Sequence, residues 1–297
     1  REKIARWYPQ GVRGFEGPPG AVIPRYVGNQ KREWRIGETT DDTERTLAVA
    51  RALIEDQAVT HEGVGKRMLG CEKSVHPGVQ SLWEFHEAND PGRVASAHDG
   101  CGAAIRVAPV GIVYASTRID DIATAAREVS IPTHGGSYAI AAAAATAAAV
   151  AAAVEGASGS EIAGLSVTAA ALAEQCWPHV RGPAFAAALR AIRDDLARRD
   201  FDAAAIAERH APVTPLTIVP LALALATECD SATEAILLAA NIGGDADSVA
   251  SIAGAVLGAR APNTIDAEWV AVVEEINGHG LRAWSDDLVA LRDSGIT

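Results

Sequence analysis

The sequence predicts an all-α protein built as one domain over residues 1–297. Three observations carry this expectation. Apolar residues make up 48% of the chain while aromatic residues reach only 5%, and alanine is abundant, a composition that suits closely packed helices better than a sheet sandwich of large side chains. Beyond residue 40 apolar residues recur at helical spacing, repeatedly announced by capping residues. No stretch is rich enough in Pro, Gly or Ser to divide the chain, and no exact repeat is present.

Taken in order, residues 1–38 hold Gly11, Gly14, Gly17, Pro18, Pro19 and Gly20 without a sustained period, and read as a long loop or a set of turns. From Thr40 the series Leu47, Ala50, Leu53, Ile54 has helical spacing. Thr40 suits the N-cap, and Asp41 and Asp42 fall in the first turn, where the helix dipole favours anions. An irregular stretch with Cys71, His76 and Pro77 follows. The segment His98-Asp99-Gly100-Cys101-Gly102 is a glycine-broken turn ahead of a small-residue run, and Gly111 to Ser116 alone reads like a strand. Further helices are expected around Ile119, Ile122, Ala126 and Val129, through the alanine block 139–153, and from Gly182-Pro183 through Phe185, Leu189, Ile192 and Leu196. Ser231 and Glu234 form a capping box before Ile236, Leu237 and Ala240, and Gly243-Gly244 ends that helix before Val249 to Leu257 resume one. The C-terminal region adds Trp269, Val272, Val273, Ile276 and then Leu281, Trp284, Leu288, Leu291. The alanine block is expected to serve packing, since alanine has the best helix propensity and lets axes approach, and Gly254 and Gly258 to permit close backbone contact.

The charge balance excludes some classes of function. With 26 basic and 38 acidic residues the formal charge is -12, which argues against a nucleic-acid partner, because phosphate binding needs a basic face. The run from Ala139 to Val154 is mostly alanine, and Pro212, Pro215 and Pro220 interrupt the run from Ala211 to Ala226, so neither resembles a strongly apolar membrane span. No signal peptide is visible. Cys71, Cys101, Cys176 and Cys229 lie far apart without a C-x-x-C pair, so the expectation is a reducing cytoplasm, with no disulfide framework and no zinc knuckle.

Chemistry concentrates in two short segments about 200 residues apart, Thr39-Thr40-Asp41-Asp42-Thr43-Glu44 and Asn241-Ile242-Gly243-Gly244-Asp245-Ala246-Asp247-Ser248. Each opens an apolar helical pattern. Adjacent ionised carboxylates repel, and burial penalises each of them, so four such groups at buried helix starts call for a compensating charge. Hard divalent cations supply it, and four aspartates balance two such ions by simple counting. Thr40 and Ser248 would add neutral oxygens, and the lack of clustered His and Cys favours magnesium or manganese over zinc. The plainer reading makes Asp41, Asp42, Asp245 and Asp247 ordinary caps and first-turn acids; the hydroxyl beside each pair and the Gly-Gly turn favour a site.

The order Thr40-Asp41-Asp42-Thr43 near the start, with Gly243-Gly244-Asp245-Ala246-Asp247-Ser248-Val249-Ala250-Ser251-Ile252-Ala253-Gly254-Ala255 near the end, strongly resembles the ADP-ribosylglycohydrolase family. Gly100-Cys101-Gly102-Ala103-Ala104-Ile105-Arg106-Val107-Ala108-Pro109 is similar to its glycine-rich substrate loop, and Thr133-His134-Gly135 to its Thr-His motif, so the resemblance spans nearly the whole chain. It implies an orthogonal multi-helix bundle holding two Mg2+ (or Mn2+) ions in a cleft, where a glycosidic bond to the anomeric carbon of ribose is hydrolysed. It further implies Thr40, Asp41 and Asp42 as metal ligands from one side and Asp245, Asp247 and Ser248 from the other, with Asp41, Asp42, Asp245 and Asp247 as the catalytic acids. Asp99, Gly100, Cys101, Gly102, His134 and Gly135 would bind the ribose and phosphate portion of an ADP-ribosylated protein or a small ribosyl compound.

Three departures qualify the transfer. Ala246 and Ser248 stand where the family usually has Thr, Cys101 stands where it commonly has Asn, and the family's N-terminal helix with its Gly-Asp and Pro-x-Glu elements has no counterpart ahead of Arg1. The loss of an amide at Cys101 admits a smaller, nucleoside-like substrate. The missing N-terminal acid admits a member that binds ligand without catalysis, and a two-metal phosphohydrolase is a third class. His98 and Asp99 assist in the loop or form a solvated turn. Asn277, His279, Trp284, Asp286 and Asp287 line the cleft or cover the last helix. Cys101 is expected to be a small packing residue.

Overall fold

The computed structural model describes residues 2–27, 30–73, 98–176, 184–198 and 202–295. The N-terminal part consists of α1 (Glu2–Trp7) and an antiparallel hairpin of β1 (Val22–Val27) and β2 (Gln30–Arg35), in which Ile23 faces Trp34 in register. Then come α2 (Asp41–Asp56) and α3 (His61–Met68). A 3-10 turn (Cys101–Arg106) leads into α4 (Ala108–Val113), α5 (Ile119–Ser130), α6 (Ser137–Val154) and α7 (Gly159–Cys176). The remaining helices are α8 (Ala184–Leu196), α9 (Ala203–His210), α10 (Pro215–Glu228), α11 (Ala232–Ile242), α12 (Ala246–Arg260), α13 (Ala267–Asn277) and α14 (Leu281–Ser294), with a short 3-10 turn (Pro262–Thr264) after α12.

The alanine block forms the axis of the molecule. Residues from Ala139 to Ala153 in α6 are buried, and α4, α5, α7, α10, α12 and the 3-10 turn all pack on it. Small side chains make this possible, because a helix without bulk lets several neighbours come close at once. By length and composition α6 could cross a membrane, contrary to the reading of this run as too weakly apolar, yet 89% of it is buried inside the fold, as befits a central helix.

Two expectations are corrected. Residues 1–38 are not only loop: Val22, Ile23, Tyr26 and Val27 have the β-branched and aromatic character of a strand, which the surrounding glycines and Pro24 obscured. The strand-like stretch Gly111 to Ser116 instead begins inside α4 and turns extended only at Tyr114. Gly111 is there for proximity. A Cβ on it would stand 2.4 Å from the Ala147 carbonyl oxygen of α6. His76, Pro77, Gly182 and Pro183 lie outside the described residues.

Candidate functional site

Three helical starts converge on one place, those of α2, of α12 and of the Cys101–Arg106 turn. Gly243 and Gly244 take positive φ (83° and 71°), which stops α11 and aims Asp245 and Asp247 toward α2. Thr40 is the N-cap of α2, but its hydroxyl donates to Asp42 Oδ2 at 2.8 Å and accepts no backbone N–H of the first turn, as a capping side chain would. Asp245 is the N-cap of α12 and likewise makes no side-chain cap bond. Neither N-cap residue bonds its helix through the side chain, while Asp41, Asp42 and Asp247 are acids of the first turn, as the plainer reading has them.

Asp42 lies deepest, 7% exposed, and its Oδ1 is buried with no hydrogen-bond partner. Burial first, and then the charge of Asp247 with smaller contributions from Asp41 and Asp245, pushes its carboxyl up to about 7. Asp245 is pushed up to about 6 by burial and by its hydrogen bond to and repulsion from Asp247. Asp41 is half-buried, with Arg45 Nε 3.8 Å from its Oδ2, and Asp247 is exposed at the rim. So the two aspartate pairs, distant in sequence, share one electrostatic field.

A raised carboxyl has a defined sign in the metal-free chain. The folded state binds a proton at Asp42 more tightly than the unfolded chain, so stability is fullest near pH 4 and falls as pH rises toward 7, by up to about 4 kcal/mol. Asp42→Asn is accordingly expected to raise the melting temperature of the metal-free protein at pH 8 while leaving it nearly unchanged at pH 4. A lower melting temperature for the variant at pH 8 would contradict the assignment.

The loop opposite the acids is fixed from behind. Cys101 donates to Asp245 Oδ2 at 3.2 Å and lies 3.6 Å from Ser248 Oγ, and Thr46 Oγ1 donates to the Ile105 carbonyl at 3.2 Å, joining the loop to α12 and α2. Cys101 is thus more than a packing residue; burial and Asp245 hold its thiol far above the ordinary range. His134 is buried and fills the space beneath the glycines: a Cβ on Gly102 would be 2.6 Å from its Cε1, and one on Gly100 2.8 Å from its Nε2. Arg106, fully buried, donates to the carbonyls of Gly102 (2.9 Å) and Val129 (2.7 Å) and to Thr133 Oγ1 (2.8 Å), which in turn meets His134 Nδ1 at 2.7 Å. With Arg106 donating, Thr133 has its own proton for Nδ1, an arrangement assigned from the network that turns an Nε2–H toward the loop. His98 stands edge-on to His134, ring centroids 4.6 Å apart.

Asp99 is engaged differently from the substrate role expected of it. Its Oδ1 accepts from the amides of Tyr138 (2.9 Å) and Ala139 (3.1 Å), capping the start of α6 across the loop, while Gly135 lies in the turn just before that start. Asp99→Ala is expected to lower stability by about 1–2 kcal/mol, read by urea denaturation; no loss would show the cap to be idle.

The approach to α2 is braced by Asn277 and His279, which the sequence left between lining the cleft and covering the last helix, and by Lys73, which it did not single out. Asn277 Oδ1 accepts from the Thr39 amide at 3.1 Å, Asn277 Nδ2 donates to the Gly37 carbonyl at 2.8 Å, His279 Nε2 meets Thr39 Oγ1 at 2.9 Å, and Lys73 Nζ donates to the Thr39 carbonyl at 2.8 Å. Asn277 and His279 therefore buttress the site, whereas Trp284 Nε1 donates to the His279 carbonyl and Asp286 and Asp287 lie on the exposed side of α14. Arg45 carried a legible signal, lying one helical turn after Asp41. A second group, His61 with Glu62 and Glu128, has donor atoms within 4.8 Å of one another. Its two carboxylates address opposite ring nitrogens, at 3.2 and 2.7 Å, and Glu128 also meets Arg127, so it reads as a polar link joining α3 to α5. A cavity of about 740 Å³ between α1 and α11 is lined by Tyr8, Leu238 and Asn241 and by none of the four aspartates.

Comparison with known proteins agrees with this arrangement of elements. An uncharacterized protein of Archaeoglobus fulgidus is 27% identical over 261 residues, spanning 84% of this chain and 79% of its own, and the uncharacterized protein YegU of Escherichia coli is 26% identical over 257 residues, spanning 81% and 77%. A chain of a solved ADP-ribosylglycohydrolase-related protein complex superimposes with a TM-score of 0.66 at 23% identity, covering 87% of this chain and 82% of that one, and shares the fold. The model of the family described as ADP-ribosylglycohydrolase matches residues 1–295, and the chain belongs to that family.

Proposed function

We propose that the protein is a divalent-metal-dependent glycohydrolase that cleaves the bond at the anomeric carbon of ribose in an ADP-ribosylated protein or a small ADP-ribosyl compound. The observation that supports it most is the buried, unpartnered Oδ1 of Asp42 among three further aspartates. An apolar or neutral environment would leave that atom costly, whereas a cation satisfies it. The oxygen donors, taken by themselves, fit magnesium or manganese: Asp41, Asp42, Asp245 and Asp247 supply carboxylates and Thr40 and Ser248 hydroxyls. A bound pair of such ions would supply Lewis-acid polarisation and a water nucleophile at neutral pH.

The chain's own groups supply the rest. The carboxylates around Asp42 and Asp245 would stabilise the positive charge that grows on the ribose ring as the bond breaks, and Asp247, which is exposed, would accept a proton from water. The loop from Gly100 to Gly102, with His134 behind it, positions the ribose and phosphate portion, and backbone amides suit an anion.

The test is a hydrolysis screen with Mg2+ or Mn2+ against ADP-ribosyl-arginine, ADP-ribosyl-serine, poly-ADP-ribose and simple ribonucleosides, read by mass spectrometry. Release of ADP-ribose, absent in chelator, is expected. Release of inorganic phosphate would transfer the protein to the phosphohydrolases, and retained ADP-ribose binding without any product would make it a binding protein.

A further inference from the structure

Cys101 is the one soft donor set among these hard ones. Its Sγ lies 3.2 Å from Asp245 Oδ2 and 3.6 Å from Ser248 Oγ, and the carboxylate Oδ1 of Asp42 in the same cluster is buried and without a hydrogen-bond partner. Two ligands on adjacent positions of one ion, a sulfur at about 2.3 Å and an oxygen at about 2.1 Å, stand roughly 3.1–3.6 Å apart. Both sulfur–oxygen separations fall in that interval. The sulfur is also held in place: the 3-10 turn that carries it is anchored through the Gly102 carbonyl to the buried Arg106 and rests on His134.

We infer that Cys101 is a ligand of the ion held by Asp245 and turns the site's preference from magnesium toward softer divalent ions such as cobalt and zinc. The inference rests on the metal-site reading proposed above. Thiolate is a poor partner for magnesium and a good one for these ions, so a single sulfur shifts selectivity without altering the carboxylates. On binding, the Sγ–H bond breaks heterolytically, the electron pair stays on sulfur and becomes the bond to the metal, and the proton passes to the buffer; nothing is oxidised or reduced.

The test uses the whole chain, stripped of metal and titrated with Co2+. A near-ultraviolet sulfur-to-cobalt charge-transfer band is expected in the wild type and not in Cys101→Ser, with cobalt affinity lowered about 10- to 100-fold and magnesium affinity changed by less than about twofold. Cobalt binding by calorimetry without that band, or an equal band in Cys101→Ser, overturns the assignment while leaving the metal site standing. A wild type that binds neither Co2+ nor Mg2+ removes the metal site and this assignment together. Should Cys101→Ser fail to fold, the wild type still decides: Co2+ is expected to slow alkylation of Cys101, followed by peptide mass spectrometry, more than Mg2+ does, and equal slowing overturns the inference.

Discussion

Replacing Asp245 and Asp247 together by alanine is expected to lower hydrolysis at least about a thousandfold and to erase the stabilisation that divalent ions confer, with helical content intact. The backbone has little to lose. Asp245 is the N-cap of α12 without making a side-chain cap bond, and Asp247 is exposed. Electrostatically the metal-free variant gains, because Asp247 is the largest charge acting to raise the Asp42 carboxyl and Asp245 adds to it. Its melting temperature without metal should therefore equal or exceed that of the wild type at pH 8. With an ion at about a hundred times its Kd the wild type is stabilised by roughly 2.7 kcal/mol, on the order of 5 °C for a chain this long. The variant should show no such shift. Unchanged magnesium binding by calorimetry in the double variant would end the assignment of these two acids.

What could be read beforehand followed from whether a signal was local. The α2 start was legible because Thr40, Asp41 and Asp42 are adjacent and precede a clear helical period, and the break between α11 and α12 because Gly243-Gly244 leaves few other conformations. Helices with less pattern were lost. In α10 the prolines Pro215 and Pro220 suggested interruption, yet Pro215 sits at the first turn, where a missing amide costs nothing, and Pro220 is carried inside a helix buried on nearly every side. The strand-like stretch from Gly111 to Ser116 lost to tertiary contact with α6. At the candidate site the acids were visible as types and Asn277 and His279 as cleft-or-cover candidates, but their bonds, and Lys73 altogether, were not, since each acts on the segment Gly37 to Thr39 from more than thirty residues away. Hydrogen bonds to a remote carbonyl leave no period and no motif.

Arg106 illustrates the same blindness and yields the other large effect: Arg106→Lys is expected to destabilise the protein by about 3–5 kcal/mol and Arg106→Leu by about 2–3 kcal/mol. The conservative change should be the worse one. Burial and the nearby Arg45 push this guanidinium down to about 9, which still leaves it charged at neutral pH, and its planar fork reaches Gly102, Val129, Ser130 and Thr133 together. A lysine keeps the cost of the buried charge but cannot reach these oxygens as a group, so a desolvated ammonium is left poorly paired. Leucine removes the charge and its desolvation cost, leaving unsatisfied carbonyls and a small void. Urea denaturation of both variants orders the two effects, and a lysine variant within about 1 kcal/mol of the wild type would show that the fork is not what holds the loop. Because the same fork fixes Thr133, and Thr133 orients His134 beneath Gly100 and Gly102, the fraction of either variant that remains folded should also lose turnover, not merely abundance.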